Sequence, residues 1–337
     1  MITQASPTPD LKSAFGGARV MITGGLGFIG STLAARLVKL GSEVTLVDSL
    51  APTSGANLHN IAPIQDRLRV EMIDVRDVPK LGGLLPGCDY LFNLAGQTGH
   101  LESMADPITD LDVNCRAQLA LLESCRMVNP GVIVVFASTR QVYGKPDYLP
   151  VDEKHPTRPP DVNGVNKLAG DLYHILYHNV YGIRTTVLRL TNTYGPRMRI
   201  KDARQTFIGI WLRRVLEGQP FEVWGGEQRR DFTYVDDAVD ALLLAAARPN
   251  AKGRIFNLGG DEALTLSELG DLLVSANGGG RFVVRSFPPE RQRIDIGDYV
   301  ADDNLFRGTT GWRPAVGIRE GLTRSLTYFR EHLAHYV

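Results

Sequence analysis

The sequence predicts an α/β protein: a doubly wound parallel sheet carrying a smaller C-terminal α/β lobe. Three observations predict it. Short β-forming apolar runs alternate with helical periodicity as far as Leu190. A glycine-rich turn joins the first strand to the first long helix. Beyond Leu190 prolines, glycines and arginines crowd in, as in Gly195-Pro196-Arg197 and Gly225-Gly226-Glu227. With 337 residues, 43% of them hydrophobic, the chain has enough apolar material for one large domain or two intimate ones.

Residues 1–17 hold Ser, Thr, Pro and Gly without an apolar segment, and read as a flexible tail rather than a secretion signal. Arg19–Thr23 is the first strand. Phe28–Leu40 follows with apolar residues at helical spacing, and Gly41 stops it. Glu43–Val47, Leu68–Ile73, Asp89–Asn93, Val132–Ala137 and Arg184–Leu190 read as further strands. Helical patterns over Pro107–Met127 and Gly164–Tyr181 separate the later ones. This alternation implies a Rossmann-like parallel sheet over 18–190, covered on both faces. Helix Val235–Ala247 and strand Arg254–Leu258 return to it, within 232–260. Residues 191–231 and 261–337, including a helix over Thr265–Ala276, form the smaller lobe.

Charge adds exclusions. Lys+Arg and Asp+Glu are both 37, so no global basic bias points to nucleic acid and no basic run to a membrane surface. No apolar run approaches the roughly 18 residues that span a bilayer. Cys88, Cys115 and Cys125 form no CxxC pair and no metal spacing; they read as buried, reduced thiols of a cytoplasmic protein.

The turn Thr23-Gly24-Gly25-Leu26-Gly27-Phe28-Ile29-Gly30 has its glycines at 24, 27 and 30, between a strand and a helix. Glycine lets the backbone approach a pyrophosphate, and the helix start offers free N–H groups to it. Gly24, Gly27, Phe28, Ile29 and Gly30 are therefore the candidate phosphate cradle. Asp48 ends the second strand, where a carboxylate accepts ribose hydroxyls and repels a 2′-phosphate. Ser49 and Leu50 supply no arginine for such a phosphate, which favours NAD over NADP.

From Arg19 onward the chain resembles the extended short-chain dehydrogenase/reductases of the nucleotide-sugar epimerase and dehydratase type. TGGLGFIG resembles the family's opening motif. Asp74-Val75 resembles its adenine contact, and Asn93-Leu94-Ala95-Gly96 the segment beside the cofactor. Asn114 lies on the helix that carries a family asparagine. Ser138-Thr139-Arg140-Gln141-Val142-Tyr143-Gly144 resembles the active-site strand, with Thr139 in the place of its catalytic Ser/Thr. Asn192, in Leu190-Thr191-Asn192-Thr193-Tyr194-Gly195-Pro196-Arg197, resembles the asparagine that touches the substrate diphosphate, and Arg197 joins it as a substrate candidate. Arg230, in Gln228-Arg229-Arg230-Asp231-Phe232, resembles an arginine that pairs with phosphate; a guanidinium fork suits that task. In Arg291-Gln292-Arg293-Ile294-Asp295 the family's arginine register falls on Gln292, so Arg291 or Arg293 takes the contact. The resemblance implies NAD as cofactor, a nucleoside-diphosphate sugar as substrate, and a homodimer joined through helices 107–127 and 164–181.

One departure bears on the chemistry. The family places a tyrosine four residues before the lysine, as the proton-transfer group; here Asn163 precedes Lys167. An amide neither gains nor loses a proton at ordinary pH, so Asn163 only orients a hydroxyl. Three groups are candidates for the proton. Lys167 also holds the nicotinamide ribose in the family, and burial lowers a lysine's pKa. His100 lies on the loop that faces the sugar, and imidazole titrates near neutrality. Tyr143 lies on the active-site strand. Family dehydratases carry an Asp-Glu pair after the Ser/Thr, to eliminate water across C5–C6; Arg140-Gln141 stand here, which disfavours dehydration. The expected activity is epimerisation, at C4. A dehydratase or a C2 epimerase is the second reading, and a catalytically silent NAD- and nucleotide-sugar-binding protein the third.

Overall fold

The computed structural model describes residues 10–52, 54–202 and 206–337. Seven strands form the main sheet: β1 (Arg19–Thr23), β2 (Glu43–Asp48), β3 (Leu68–Met72), β4 (Tyr90–Asn93), β5 (Ile133–Thr139), β6 (Arg184–Leu190) and, after three strands of the second lobe, β10 (Arg254–Leu258). Their spatial order is β3-β2-β1-β4-β5-β6-β10, and every pairing is parallel. The order reverses between β1 and β4. In an open parallel sheet that reversal leaves a crevice beyond the carboxyl ends of the strands.

Both faces are covered, as continuous apolar strands require. Helix Phe28–Leu40 buries Leu33, Leu37 and Val38 against one face, beside Val239, Leu242 and Leu243 of helix Val235–Ala247. Leu121, Leu122 and Cys125 of helix Ala117–Val128 cover the other face with Tyr177. Gly41 ends the first helix in the left-handed region, with its N–H on the Leu37 and Val38 carbonyls. Two expectations change here. Pro107–Met127 is interrupted: a π-helical turn at Asp112–Arg116 separates Pro107–Leu111 from Ala117–Val128. Of the expected tail, residues 1–9 lie outside the described residues, but Leu11–Phe15 is a short helix capped by Asp10. Phe15 is its anchor, fully buried 4.7 Å from the Tyr90 ring.

The second lobe has two small sheets. β7 (Asn192–Tyr194), β9 (Arg229–Tyr234) and β11 (Ala263–Thr265) form one. β8 (Phe221–Trp224) and β12 (Phe282–Arg285) pair in parallel as the other. β9 stays in this lobe through Tyr234, so the return to the main sheet starts with helix Val235–Ala247 and not at 232. The lobe's own core joins Ile208, Trp211 and Leu212 of helix Phe207–Leu216 to Leu322 and Phe329 of helix Ile318–His332. Thr265 starts helix Leu266–Asn277 with a capping box to Glu268. No helix of the described residues is long and apolar enough to cross a membrane.

Candidate active site

A cavity of about 1020 Å³ runs from the crevice between β1 and β4 into the second lobe. At one end lies the glycine loop. A Cβ on Gly30 would stand 2.3 Å from the Gly24 carbonyl oxygen, so the turn closes only with glycine there. Helix Phe28–Leu40 begins at Gly27 with no side-chain cap, which leaves its first N–H groups for a ligand. Asp48 accepts the Leu26 and Leu50 N–H groups. Burial outweighs those bonds and raises its pKa, which a pair of donating hydroxyls would relieve. Asp74 and Arg76 form a bidentate pair, which neutralises the arginine nearest this end. Gly24, Gly27, Phe28, Ile29, Gly30, Asp48, Asp74, Val75 and Ala95 all line the cavity. These residues fit a dinucleotide without a 2′-phosphate.

Midway, β5 delivers Thr139 and helix Val162–Tyr181 delivers Asn163 and Lys167. Lys167 is buried. Its Nζ donates to the Ala137 carbonyl at 3.1 Å and lies 4.9 Å from the centre of the Phe136 ring. Burial pushes its pKa down to about 8, against the pull of Asp171 and Asp110. A side chain at Gly96 would collide with it: a Cβ there meets Lys167 Nζ and Asn114 Oδ1, each at 2.8 Å. Asn114 sits in the π turn and bonds Gln97 through both N–H and carbonyl. The irregular turn thus places the loop that borders the cofactor.

Asn163 is buried, and both hydrogens of its amide are used. Nδ2 donates to the Gln97 carbonyl at 2.7 Å and to Asp110 Oδ2 at 3.1 Å. Asp110 also accepts from Asn166 at 2.8 Å. What Asn163 has left for a ligand is Oδ1, an acceptor.

His100 faces the cavity from the opposite loop. Its Nδ1 is shut off from solvent, 2.9 Å from Asp161 Oδ2. Asp161 is the N-cap of helix Val162–Tyr181: Oδ1 accepts the Gly164 N–H at 2.7 Å, and Oδ2 accepts Gln141 Nε2 at 2.8 Å. Burial alone would raise this carboxyl's pKa; His100, Gly164 and Gln141 hold it below the ordinary range. The Asp161 carboxylate thus stands beside Nδ1 of an imidazole that lines the cavity. Asp161 is a candidate positioning residue that reading the sequence missed. Its one local signal, an acid just before a helix, announces a cap and nothing of a histidine 61 residues upstream.

Tyr143, the third proton candidate, is not at the site. It is fully buried, donates to Asn257 Oδ1 at 2.7 Å and accepts from Arg189 at 2.8 Å. Burial raises its pKa despite the arginine, so it is packing and not a base.

At the second-lobe end, Asn192, Arg230 and Arg291 line the cavity. Asn192 Nδ2 donates one of its two hydrogens to the Asp231 carbonyl at 2.9 Å. Arg230 is buried and pairs with Asp295 at 3.2 Å. Burial first, and Arg140 second, lower its pKa to about 10. Arg291 stacks over Trp224 at 4.5 Å; it, and not Arg293, reaches the cavity. Arg197 does not. Its guanidinium reaches back to the Asn60 carbonyl at 3.1 Å and Thr32 Oγ1 at 3.5 Å. A left-handed backbone at this residue (φ 72°) turns the chain away from the ligand side.

Comparison with known proteins points to one family that holds both epimerases and dehydratases. Residues 20–259 match the model of the NAD dependent epimerase/dehydratase family. The chain is 32% identical over 322 residues to a putative UDP-glucose 4-epimerase of Methanocaldococcus jannaschii, covering 93% of this chain and 99% of that one. It superposes on the UDP-glucose 4-epimerase of Thermotoga maritima, solved with UDP-glucose, with a TM-score of 0.86 at 29% identity, covering 94% of this chain and 99% of that one. The UDP-glucose 4-epimerase of Thermus thermophilus, solved with NAD, gives a TM-score of 0.80 at 31% identity, covering 93% and 99%. The chain belongs to the NAD dependent epimerase/dehydratase family, and its cofactor is NAD.

Proposed function

We propose that the protein is an NAD-dependent nucleotide-sugar epimerase that inverts C4 through a transient 4-keto sugar. One observation carries this reading: a single continuous cavity joins the dinucleotide loop to a basic end, with Thr139, Lys167, Asn163 and His100 between them. The named activities of the relatives agree with it. The lobe 191–234 and 261–337 is then the sugar-nucleotide lobe, with Asn192, Arg230 and Arg291 as its anion contacts.

Bound NAD would supply hydride removal from C4 and, once the keto sugar has turned over, hydride return to its other face. The chain must take the hydroxyl proton as the hydride leaves. His100 Nε2 is the base, and Asp161 positions it and stabilises its charged form. Thr139 Oγ orients the hydroxyl, and Asn163 Oδ1 accepts a hydrogen bond from a neighbouring one. Lys167 holds the nicotinamide ribose. Its Nζ hydrogen bond to Ala137 fixes it to the sheet, one helical turn from Asn163, which is why we give the proton to His100 and the ribose to Lys167. The site has neither a carboxylate at 140 nor one at 141 for removing water, and Gln141 is spent on Asp161.

Two further readings of the molecule belong here. Val165, Leu172, Leu176 and Val180 form one exposed apolar stripe along helix Val162–Tyr181, beside exposed Ile108 and Met127. Such a stripe on two neighbouring helices suits a four-helix interface across a two-fold axis, and we propose a homodimer. Cys88, Cys115 and Cys125 are unpaired, Cys115 only half-buried, which suits the reducing cytoplasm.

The test is incubation of purified protein with UDP-, dTDP-, GDP- and CDP-hexoses without added reductant, with products read by NMR. A C4 epimer is expected. A dehydrated sugar or a C2 epimer replaces the reading, and no conversion with tight binding leaves a binding protein.

A further inference from the structure

Arg140 is a half-buried cation that the proposed chemistry does not use. It follows Thr139 directly and lines the cavity. Its Nε is shut off from solvent and has no hydrogen-bond partner among the described residues. No carboxylate among the described residues forms an ion pair with it; Asp231 and Asp295 act on it only at longer range. Its guanidinium rests over the Tyr299 ring, with Cζ 5.8 Å from the centre. Asp231 acts on it without an ion-pair contact, and burial pushes that carboxyl up to about 6. Two fully buried arginines differ: Arg189 has Asp171 at 2.8 Å, and Arg230 has Asp295 at 3.2 Å. Holding an arginine Nε away from water without an acceptor is unfavourable. An arginine that faces a cavity in this state is set for an anion that enters with the ligand.

Where that anion sits on the ligand follows from the chain order. This step rests on the epimerase reading above. Thr139 and Arg140 line the same cavity, so if Thr139 orients the hydroxyl of the reacting C4, the Arg140 fork is placed for a neighbouring ring substituent. At C5 that substituent is C6, and the form of C6 that an arginine fork holds bidentately is a carboxylate. The diphosphate has its own contacts in Arg230 and Arg291. We propose that Arg140 is a specificity-determining residue for a sugar bearing a C6 carboxylate, so that the substrate is a nucleoside-diphosphate hexuronate rather than a neutral hexose.

The test is calorimetric binding of UDP, UDP-glucose and UDP-glucuronate to the NAD-loaded protein, with the dTDP set in parallel. Wild type, Arg140→Gln and Arg140→Lys are compared. The wild type should hold the uronate roughly tenfold or more tighter than the hexose, as a charge-assisted contact requires. Arg140→Gln should bring that ratio toward one, and Arg140→Lys, which keeps charge but not fork, should retain part of it. Equal wild-type affinity for uronate and hexose overturns the inference and leaves the epimerase reading standing. So does an Arg140→Gln variant that weakens UDP alone as much as the uronate, since Arg140 would then be a diphosphate contact. A wild type that binds no nucleotide and no sugar nucleotide of either set overturns both.

Discussion

Asn163 stands where the proton-transfer residue of relatives is expected, yet its surroundings fix it as a hydrogen-bond acceptor. Asn163→Ala should therefore leave measurable turnover, because no titrating group is lost. His100→Asn should reduce kcat by roughly 10²-fold or more, the usual weight of a general base. Asp161→Asn keeps a capping oxygen for the helix but removes the charge behind the imidazole. Its kcat should fall about tenfold or more with the fold intact, because the charge that positions and steadies the imidazole is gone. A cap-only role would leave kcat unchanged. Lys167→Met should abolish turnover. The sequence made Thr139, Lys167, Asn163 and His100 legible, because each sits in a motif with its neighbours. It could not show Asp161 behind His100 or Asp110 behind Asn163, because those contacts close between segments far apart in the chain. Arg197 misled for a related reason: its motif is on the page, but the backbone turn that points it away is not.

The same contrast holds for elements. Phe28–Leu40, Arg184–Leu190, Val235–Ala247 and Arg254–Leu258 fall where periodicity put them, because long apolar patterns and glycine stops are local signals. β7, β8, β11 and β12 run three or four residues each, too short for a period to show against their polar neighbours. The π turn at Asp112–Arg116 has no composition of its own. Helix Val162–Tyr181 also carries a stability term. His174 lies fully buried, stacked on Phe136 at 4.3 Å, with Nδ1 on the Gly170 carbonyl. Burial lowers its pKa from 6.5 to about 4. Between those values the unfolded chain binds more protons than the folded one, so stability must fall as pH drops through this window. The loss amounts to about 3 kcal/mol once complete. Denaturant titrations from pH 7 to 4 should show His174→Phe losing less stability than wild type; equal losses would place the acid sensitivity elsewhere.

For the whole molecule, strand alternation foretold the parallel sheet, and the sheet's order places the crevice at the β1–β4 switch, where the cofactor loop opens. How the second lobe closes over that crevice was not legible, since its core joins segments from both ends of the lobe. Assembly is tested on the exposed stripe. Leu172→Glu with Leu176→Glu should convert a dimer to a monomer by light scattering at micromolar concentration, while the fold persists. A monomeric wild type would remove the proposed interface. The central claim is that hydride leaves the sugar ring as His100 takes its proton. The direct measurement is rapid-mixing absorbance of the enzyme-bound nicotinamide after addition of the nucleotide sugar that the product assay selects. The account predicts transient NADH in wild type that decays as the epimer forms, with the rise slowed roughly 10²-fold or more in His100→Asn. An unchanged rise in His100→Asn, or a wild type that epimerises its sugar with no reduction of its NAD, would contradict it.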